Sequence, residues 1–143
     1  MYDNAFSNCE KLEYVYISEN VTKLGNACFA GCKSLLRAHI PNSPSIQFGY
    51  SVFNGCTSLK EFGTYYDADG YVSSDNRCYI TNKTLRFFAQ GGVSGAYTIP
   101  NNITTIGSYA FDGCSKALVI YCENGSFAEQ YAQSFGINYS NFK

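Results

Sequence analysis

Phe6-Ser7-Asn8-Cys9-Glu10-Lys11-Leu12 returns as Phe29-Ala30-Gly31-Cys32-Lys33-Ser34-Leu35 and again as Phe53-Asn54-Gly55-Cys56-Thr57-Ser58-Leu59. A degraded copy follows at Phe111-Asp112-Gly113-Cys114-Ser115-Lys116-Ala117. Phe6 and Phe29 lie 23 positions apart, and Phe29 and Phe53 lie 24 apart. A period of this length predicts a solenoid in which each unit is one coil and neighbouring coils bury one another.

Each part of the unit has a mechanical reading. Leu12, Val15 and Ile17, like Leu35, Ala38 and Ile40, follow spacings of three and then two, the second being strand alternation toward a core. Tyr14 and Tyr16 then point outward. Pro41 and Pro100 follow Ile40 and Ile99 and mark strand exits, where no ladder donor is needed. A second apolar pair, Val21 with Leu24 or Ile103 with Ile106, is closed by Gly25 or Gly107, with Gly49 after Phe48 in the same place. That glycine is expected either to take positive φ or to admit the next coil closely. Phe6, Phe29, Phe53 and Phe111 are expected to stack as an interior spine, and Cys9, Cys32, Cys56 and Cys114 as a buried column of reduced thiols. Cys28, Cys78 and Cys122 fall on apolar positions of their own. An odd count of seven cysteines, four of them at one repeat position, argues against a disulfide framework.

Composition narrows the function classes. Ten Lys and Arg against eleven Asp and Glu, with a net charge of −1 and no long run of one sign, offer nothing that would track nucleic acid or an anionic membrane. Thirteen Tyr and eleven Phe with no Trp make the core aromatic and leave tyrosines on the surface. No apolar run approaches the roughly 18 residues a spanning helix needs. No basic patch followed by an apolar run opens the chain, and Met1-Tyr2-Asp3-Asn4-Ala5-Phe6 enters in mid-repeat. The expectation is a fragment with an uncapped first coil.

The run Ile106-Gly107-Ser108-Tyr109-Ala110-Phe111-Asp112-Gly113-Cys114, with Tyr97-Thr98-Ile99-Pro100 upstream, resembles the BspA-type leucine-rich repeat. The resemblance covers Tyr2 to Phe62 and Tyr97 to about Tyr139. It implies a parallel-stranded solenoid of a kind found on the surfaces of gut and oral bacteria and some parasitic protists. Departures are the Met1-Tyr2 opening, an extra residue before Gly49, and Ala117 in place of the expected Leu.

Between Phe62 and Tyr97 the period breaks. Cys78-Tyr79-Ile80, Thr81-Asn82-Lys83-Thr84 and Leu85-Arg86-Phe87-Phe88 read as strand, turn, strand, an interruption the resembled family also carries. The lead-in from Thr64 to Asn76, with Tyr65, Tyr66 and Tyr71 around Asp67-Ala68-Asp69-Gly70, reads as an exposed loop. At the other end Ser126-Phe127-Ala128-Glu129 forms a capping box and Gly136 a stop, predicting a helix over 127–135. Phe127, Tyr131 and Phe135 would lie over the last coil, with Ile137 and Tyr139 behind. In that coil either Ala117, Ile120 and Cys122 face inward with Val119 and Tyr121 outward, or a slip of one residue reverses the set.

Chemistry is sparse. The single histidine, His39, faces outward beside Arg37, whereas the column cysteines point inward, so no Cys-His pair forms. No Cys-x-x-Cys supports zinc. Asp67-Ala68-Asp69-Gly70 with Asp75 lacks the closing glutamate of a calcium loop and reads as turn chemistry. Sequons at Asn20, Asn82, Asn102, Asn124 and Asn138 matter only in a secreted eukaryotic protein.

The expected architecture is a β-rich, α/β-type leucine-rich-repeat solenoid of one domain over 1–143. Regular coils span 1–63, an inserted loop and hairpin 64–96, a further coil 97–122 and a cap 123–143. Its candidate binding surface is the outward sheet face, Tyr14, Arg37 and Glu61 in one column and Tyr16 and His39 with Gly63 in the next, together with the loop tyrosines Tyr65, Tyr66 and Tyr71. The reading is a non-catalytic module with no metal or cofactor that binds a protein ligand, such as a host or matrix protein. The adhesin-like role at the cell surface follows from the resemblance. The competing reading is a structural or assembly subunit of a phage or envelope, docking end to end through its open first coil.

Overall fold

A computed structural model describes residues 1–65, 71–93 and 95–142. Its first three coils place β1 (Tyr14–Tyr16), β3 (Arg37–His39) and β5 (Glu61–Gly63) side by side in one parallel sheet. A second, two-stranded parallel sheet joins β2 (Lys23–Leu24) to β4 (Gln47–Phe48). The sulfur-bearing turns between them stack through the main chain. Phe6 N–H donates to Cys28 O at 2.7 Å and Phe29 N–H to Val52 O at 3.0 Å, while Asn8 and Gly31 donate to Ala30 O and Asn54 O at 2.7 and 2.8 Å. Asn8, Gly31, Gly55 and Gly113 share one left-handed conformation, with φ of 59°, 74°, 74° and 75°. The Asn/Gly preference at that repeat position is therefore conformational.

Gly25, Gly49 and Gly107 serve close approach instead. A Cβ on Gly49 would lie 2.5 Å from Asn26 N, and one on Gly25 2.5 Å from Asp3 N. Neither has positive φ.

The spine and the column are present, with corrections at their ends. Phe6 stacks on Phe29 at 5.4 Å and Phe29 on Phe53 at 5.5 Å, both nearly parallel. Phe111 does not continue the series directly: Phe87 meets Phe53 at 5.1 Å and Phe88 meets Phe111 at 4.9 Å, so two hairpin rings stand between. The thiols of Cys32 and Cys56 donate to Phe6 O and Phe29 O, each at 3.1 Å. Both are buried, but Cys9 is exposed, Phe6 is 43% exposed and Cys114 is half-buried. Burial in this column comes from a coil on each side, and the first and last members have one on one side only. All seven thiols are free.

The hairpin forms as β6 (Cys78–Thr81) and β7 (Thr84–Phe88), antiparallel, around Asn82 and Lys83, both with positive φ as a tight two-residue turn requires. β7 also pairs in parallel with β9 (Thr105–Ile106). The lead-in departs from the exposed-loop expectation on its described side: Val72 bridges Tyr79, Ser73 is buried and Tyr71 is half-buried against the first core. Ser73, Asp75 and Arg77 turn back onto the hairpin, with Ser73 Oγ accepting from Cys78 N–H at 2.9 Å. Tyr66 and Asp67-Ala68-Asp69-Gly70 lie outside the described residues.

The final parallel sheet joins β8 (Gly95–Thr98), β10 (Leu118–Cys122) and β11 (Asn138–Asn141). Leu118, Ile120 and Cys122 face inward and Ala117 is exposed. One extra residue after Cys114 lets Leu118 take the place of Leu35. The bond from Leu118 N–H to Ser115 O at 3.0 Å matches that from Leu35 N–H to Cys32 O at 3.1 Å.

Helix α1 (Phe127–Phe135) starts and stops where its caps predict. Ser126 Oγ accepts from Glu129 N–H at 3.3 Å, and the Glu129 carboxylate accepts from Gly125 N–H, one residue further back than in the usual box. Its buried residues are Ala128, Tyr131 and Ala132 with the capping Glu129, whereas Phe127 and Phe135 flank them at 38% and 51% exposure. The small alanines let the helix sit close to the coil, and a residue four positions either side of Tyr131 overshoots the contact line. β11 behind it is a strand that no alternation signal announced.

Candidate functional site

The outward face of β1, β3 and β5 is built by register. Tyr14 pairs with Arg37 and Arg37 with Glu61, while Tyr16 pairs with His39 and His39 with Gly63. Alternation sends Val15, Ala38 and Phe62 inward and leaves these residues facing out. Tyr14 is 52% and Tyr16 62% exposed, large values for ring side chains. In the first column Arg37 Nε and Glu61 Oε1 are 2.7 Å apart, so the two charges cancel locally.

The second column is aromatic. The His39 ring lies 4.7 Å from Tyr16 and meets Tyr65 edge-on at 6.2 Å. Gly63 makes this possible, because a Cβ there would lie 2.6 Å from His39 Cδ2. Burial first, and then the Arg37 charge, lower the His39 pKa against the opposing pull of Glu61. The imidazole is thus neutral at neutral pH. Tyr65 joins the sheet face, but Tyr71 is turned toward the core.

Among the described residues the face offers His39 no acid–base partner beyond Glu61, which is already paired with Arg37. The buried thiols lie in the core on the inward side of the strands, where burial pushes Cys28 up to about 11 and Cys56 up to about 12. Such thiols are not nucleophiles at neutral pH. Among the described residues no group of three or more His, Cys, Asp or Glu could hold a metal ion. No helix among them is long and apolar enough to cross a membrane. The seat that Gly63 provides for His39 is not legible in the sequence, where Gly63 only ends a column.

No curated protein matches the chain. A solved structure of a leucine-rich cell surface protein from Faecalibacterium prausnitzii A2-165 is 23% identical, with a TM-score of 0.48. The similarity covers 84% of this chain and 38% of that one, so the chain spans well under half the length of that protein. The family model for the BspA-type leucine-rich repeat region matches in six copies over residues 1–74 and 77–141. With its stacked coils and nearly complete coverage by that model, the chain belongs to the BspA-type leucine-rich repeat family.

Proposed function

We propose that the chain is a non-catalytic protein-binding module of a cell-surface or secreted protein, and that it engages its ligand through the face made by Tyr14, Tyr16, Arg37, His39, Glu61 and Tyr65. The observation that supports this is the ring series Tyr16, His39 and Tyr65 standing on a rigid parallel sheet beside a self-neutralised Arg37–Glu61 pair. Rigid aromatic residues and arginine are the side chains that anchor protein contacts, because they cover much area while losing little rotamer freedom. An adhesin-like role toward a host or matrix protein is the fullest form of this reading.

The test is binding of purified matrix and cell-surface proteins to immobilised wild-type chain and to a Tyr14→Ala/Tyr16→Ala double variant. Saturable binding that drops at least about tenfold in the variant, with its unfolding curve unchanged, supports the reading. Equal binding by both chains, or none by either, overturns it.

A further inference from the structure

A cavity of about 590 Å³ lies at the other end of the molecule, between the last Phe-x-Gly-Cys turn and the C-terminal half of α1. It exists because a helix cannot follow the outline of a coil. Coils stack at about 4.8 Å, whereas a helix with its side chains is about 10 Å across, so the two part company away from their contact line. Tyr131 covers the end of the phenylalanine spine, and the space beside it stays open.

Aromatic side chains line it. Phe135 lies against Tyr131 at 4.4 Å, Tyr131 packs on Phe111 at 5.9 Å, and Tyr109 completes the set. Tyr109 and Phe135 are each half exposed, large rings that the core does not use. Beside the rings lies one carboxylate, that of the half-buried Asp112. Its Oδ2 accepts from Ser51 Oγ at 2.5 Å, a neutral partner, and no cation pairs with it among the described residues. Its charge is felt across the floor of the groove. Burial first and then Asp112 push the Cys114 thiol up to about 12, and on the Tyr131 phenol Asp112 acts in the same direction, after burial and Cys114. Lys116 also lines the groove, but it is exposed and acts on neither group. An uncompensated negative charge beside aromatic rings favours a cation, the carboxylate through its charge and the rings through their quadrupoles.

We propose that this groove binds a small organic ammonium ion with an apolar body. The ammonium pairs with Asp112 beside the aromatic wall, and the body covers Tyr131, Phe135 and Leu118. The volume suits such a ligand, and one charged group on an otherwise apolar, ring-lined surface gives it orientation. This site is independent of the sheet face and of any ligand that face takes.

The probe is 2-phenylethylamine, protonated at neutral pH, titrated into the full chain and followed by NMR shifts and calorimetry. Its neutral counterpart is 2-phenylethanol and its anionic one 3-phenylpropionate. Shifts should centre on Asp112, Tyr131, Phe135 and Ile137, and affinity should fall about threefold or more from amine to alcohol, and again to the carboxylate. Asp112→Asn keeps an acceptor for Ser51 Oγ and removes the charge, so it should bring the amine down to the alcohol and leave the alcohol unchanged. Phe135→Ala should weaken both, and Lys116→Gln should leave the amine bound as tightly or more so. The three probes on the wild-type chain decide the matter even where a variant is destabilised. No shift in the groove up to about 10 mM amine, equal affinity for amine and alcohol, or weaker amine binding in Lys116→Gln overturns the proposal.

Discussion

Tyr131 covers Phe111 at the end of the spine, its ring packing on the phenylalanine at 5.9 Å with a tilt of 54° where Phe53 lies nearly parallel on Phe29, and its hydroxyl donates to Ser108 O at 3.3 Å on the same coil. One side chain of the cap thus supplies the ring and part of the polar contact that the next coil supplies elsewhere. Tyr131→Phe should cost about 1 kcal/mol through the lost bond, and Tyr131→Ala about 3 to 4 kcal/mol through the lost packing. Urea unfolding measures both. Burial pushes the phenol up to about 12, so in the window between the ordinary tyrosine value near 10 and about 12 the unfolded chain loses its proton first. Stability should hold below that window and decline as pH rises through it, less so in Tyr131→Phe.

Position along the spine should set the cost of truncation. Phe29 has a coil on each face and is fully buried, whereas Phe6 is 43% exposed. Phe29→Ala should cost about 3 to 5 kcal/mol and Phe6→Ala clearly less, with Tyr16→Ala within about 0.5 kcal/mol of wild type. Equal losses at Phe29 and Tyr16 would mean that the inward and outward faces are exchanged.

Thiol reactivity should divide the same way. Cys9 is exposed, while burial raises Cys56 to about 12 and Cys78 to about 11. At pH 8 a thiol with a pKa near 12 is ionised to roughly one part in ten thousand, and burial also denies it the reagent. Ellman's reagent should therefore report one fast thiol in the folded protein and the others only on unfolding. Cys9→Ser should abolish the fast phase.

The repeat glycines should separate into two kinds. Gly49→Ala drives a Cβ into the Asn26 backbone and should be severely destabilising, more than about 3 kcal/mol. At Gly55, φ is 74° but the nearest atoms are 3.5 Å from the added carbon. Gly55→Ala should cost only the left-handed conformation, about 1 to 2 kcal/mol. Thermal unfolding of the pair would show the order.

Asp75 ties the lead-in to β8. Burial raises its pKa, but bonds from Ser73 Oγ, Arg77 N–H and Tyr97 Oη outweigh that and hold it below the usual carboxylate value. A depressed folded pKa gives stability that is present above about pH 3.9 and lost as the pH falls through the lowered value. Asp75→Asn should be less stable at pH 7 and show a flatter acid limb. An unchanged limb in denaturant titrations between pH 7 and pH 2 would remove Asp75 from the account.

Much of this was legible because a solenoid repeats its own instructions. The alternation of Leu35, Ala38 and Ile40 gave the sheet and its register, and Ser126, Glu129 and Gly136 bounded α1 by local capping alone. Elsewhere the physics was not local. Leu118 takes its place through an insertion that periodic counting from Cys114 cannot absorb. β11 has the polar composition of a loop and is a strand because β10 offers it an edge. The exposure of Cys9 and Phe6 depends on neighbours in space, which a repeat motif does not encode. The Gly63 seat for His39 needed the cross-strand partner as well as the residue.

The hairpin divides its side chains between two cores. Tyr79, Phe87 and Ala89 belong with the first three coils, and Cys78, Ile80, Leu85 and Phe88 with the last coil and cap. In a plain array each coil knows only its neighbours, and ends can fray while the middle holds. Here a single two-stranded rivet passes through both halves, and loosening it on one side removes packing from the other. The molecule should therefore melt in one step, and a break in that step should be sought first in substitutions at Phe87 and Phe88.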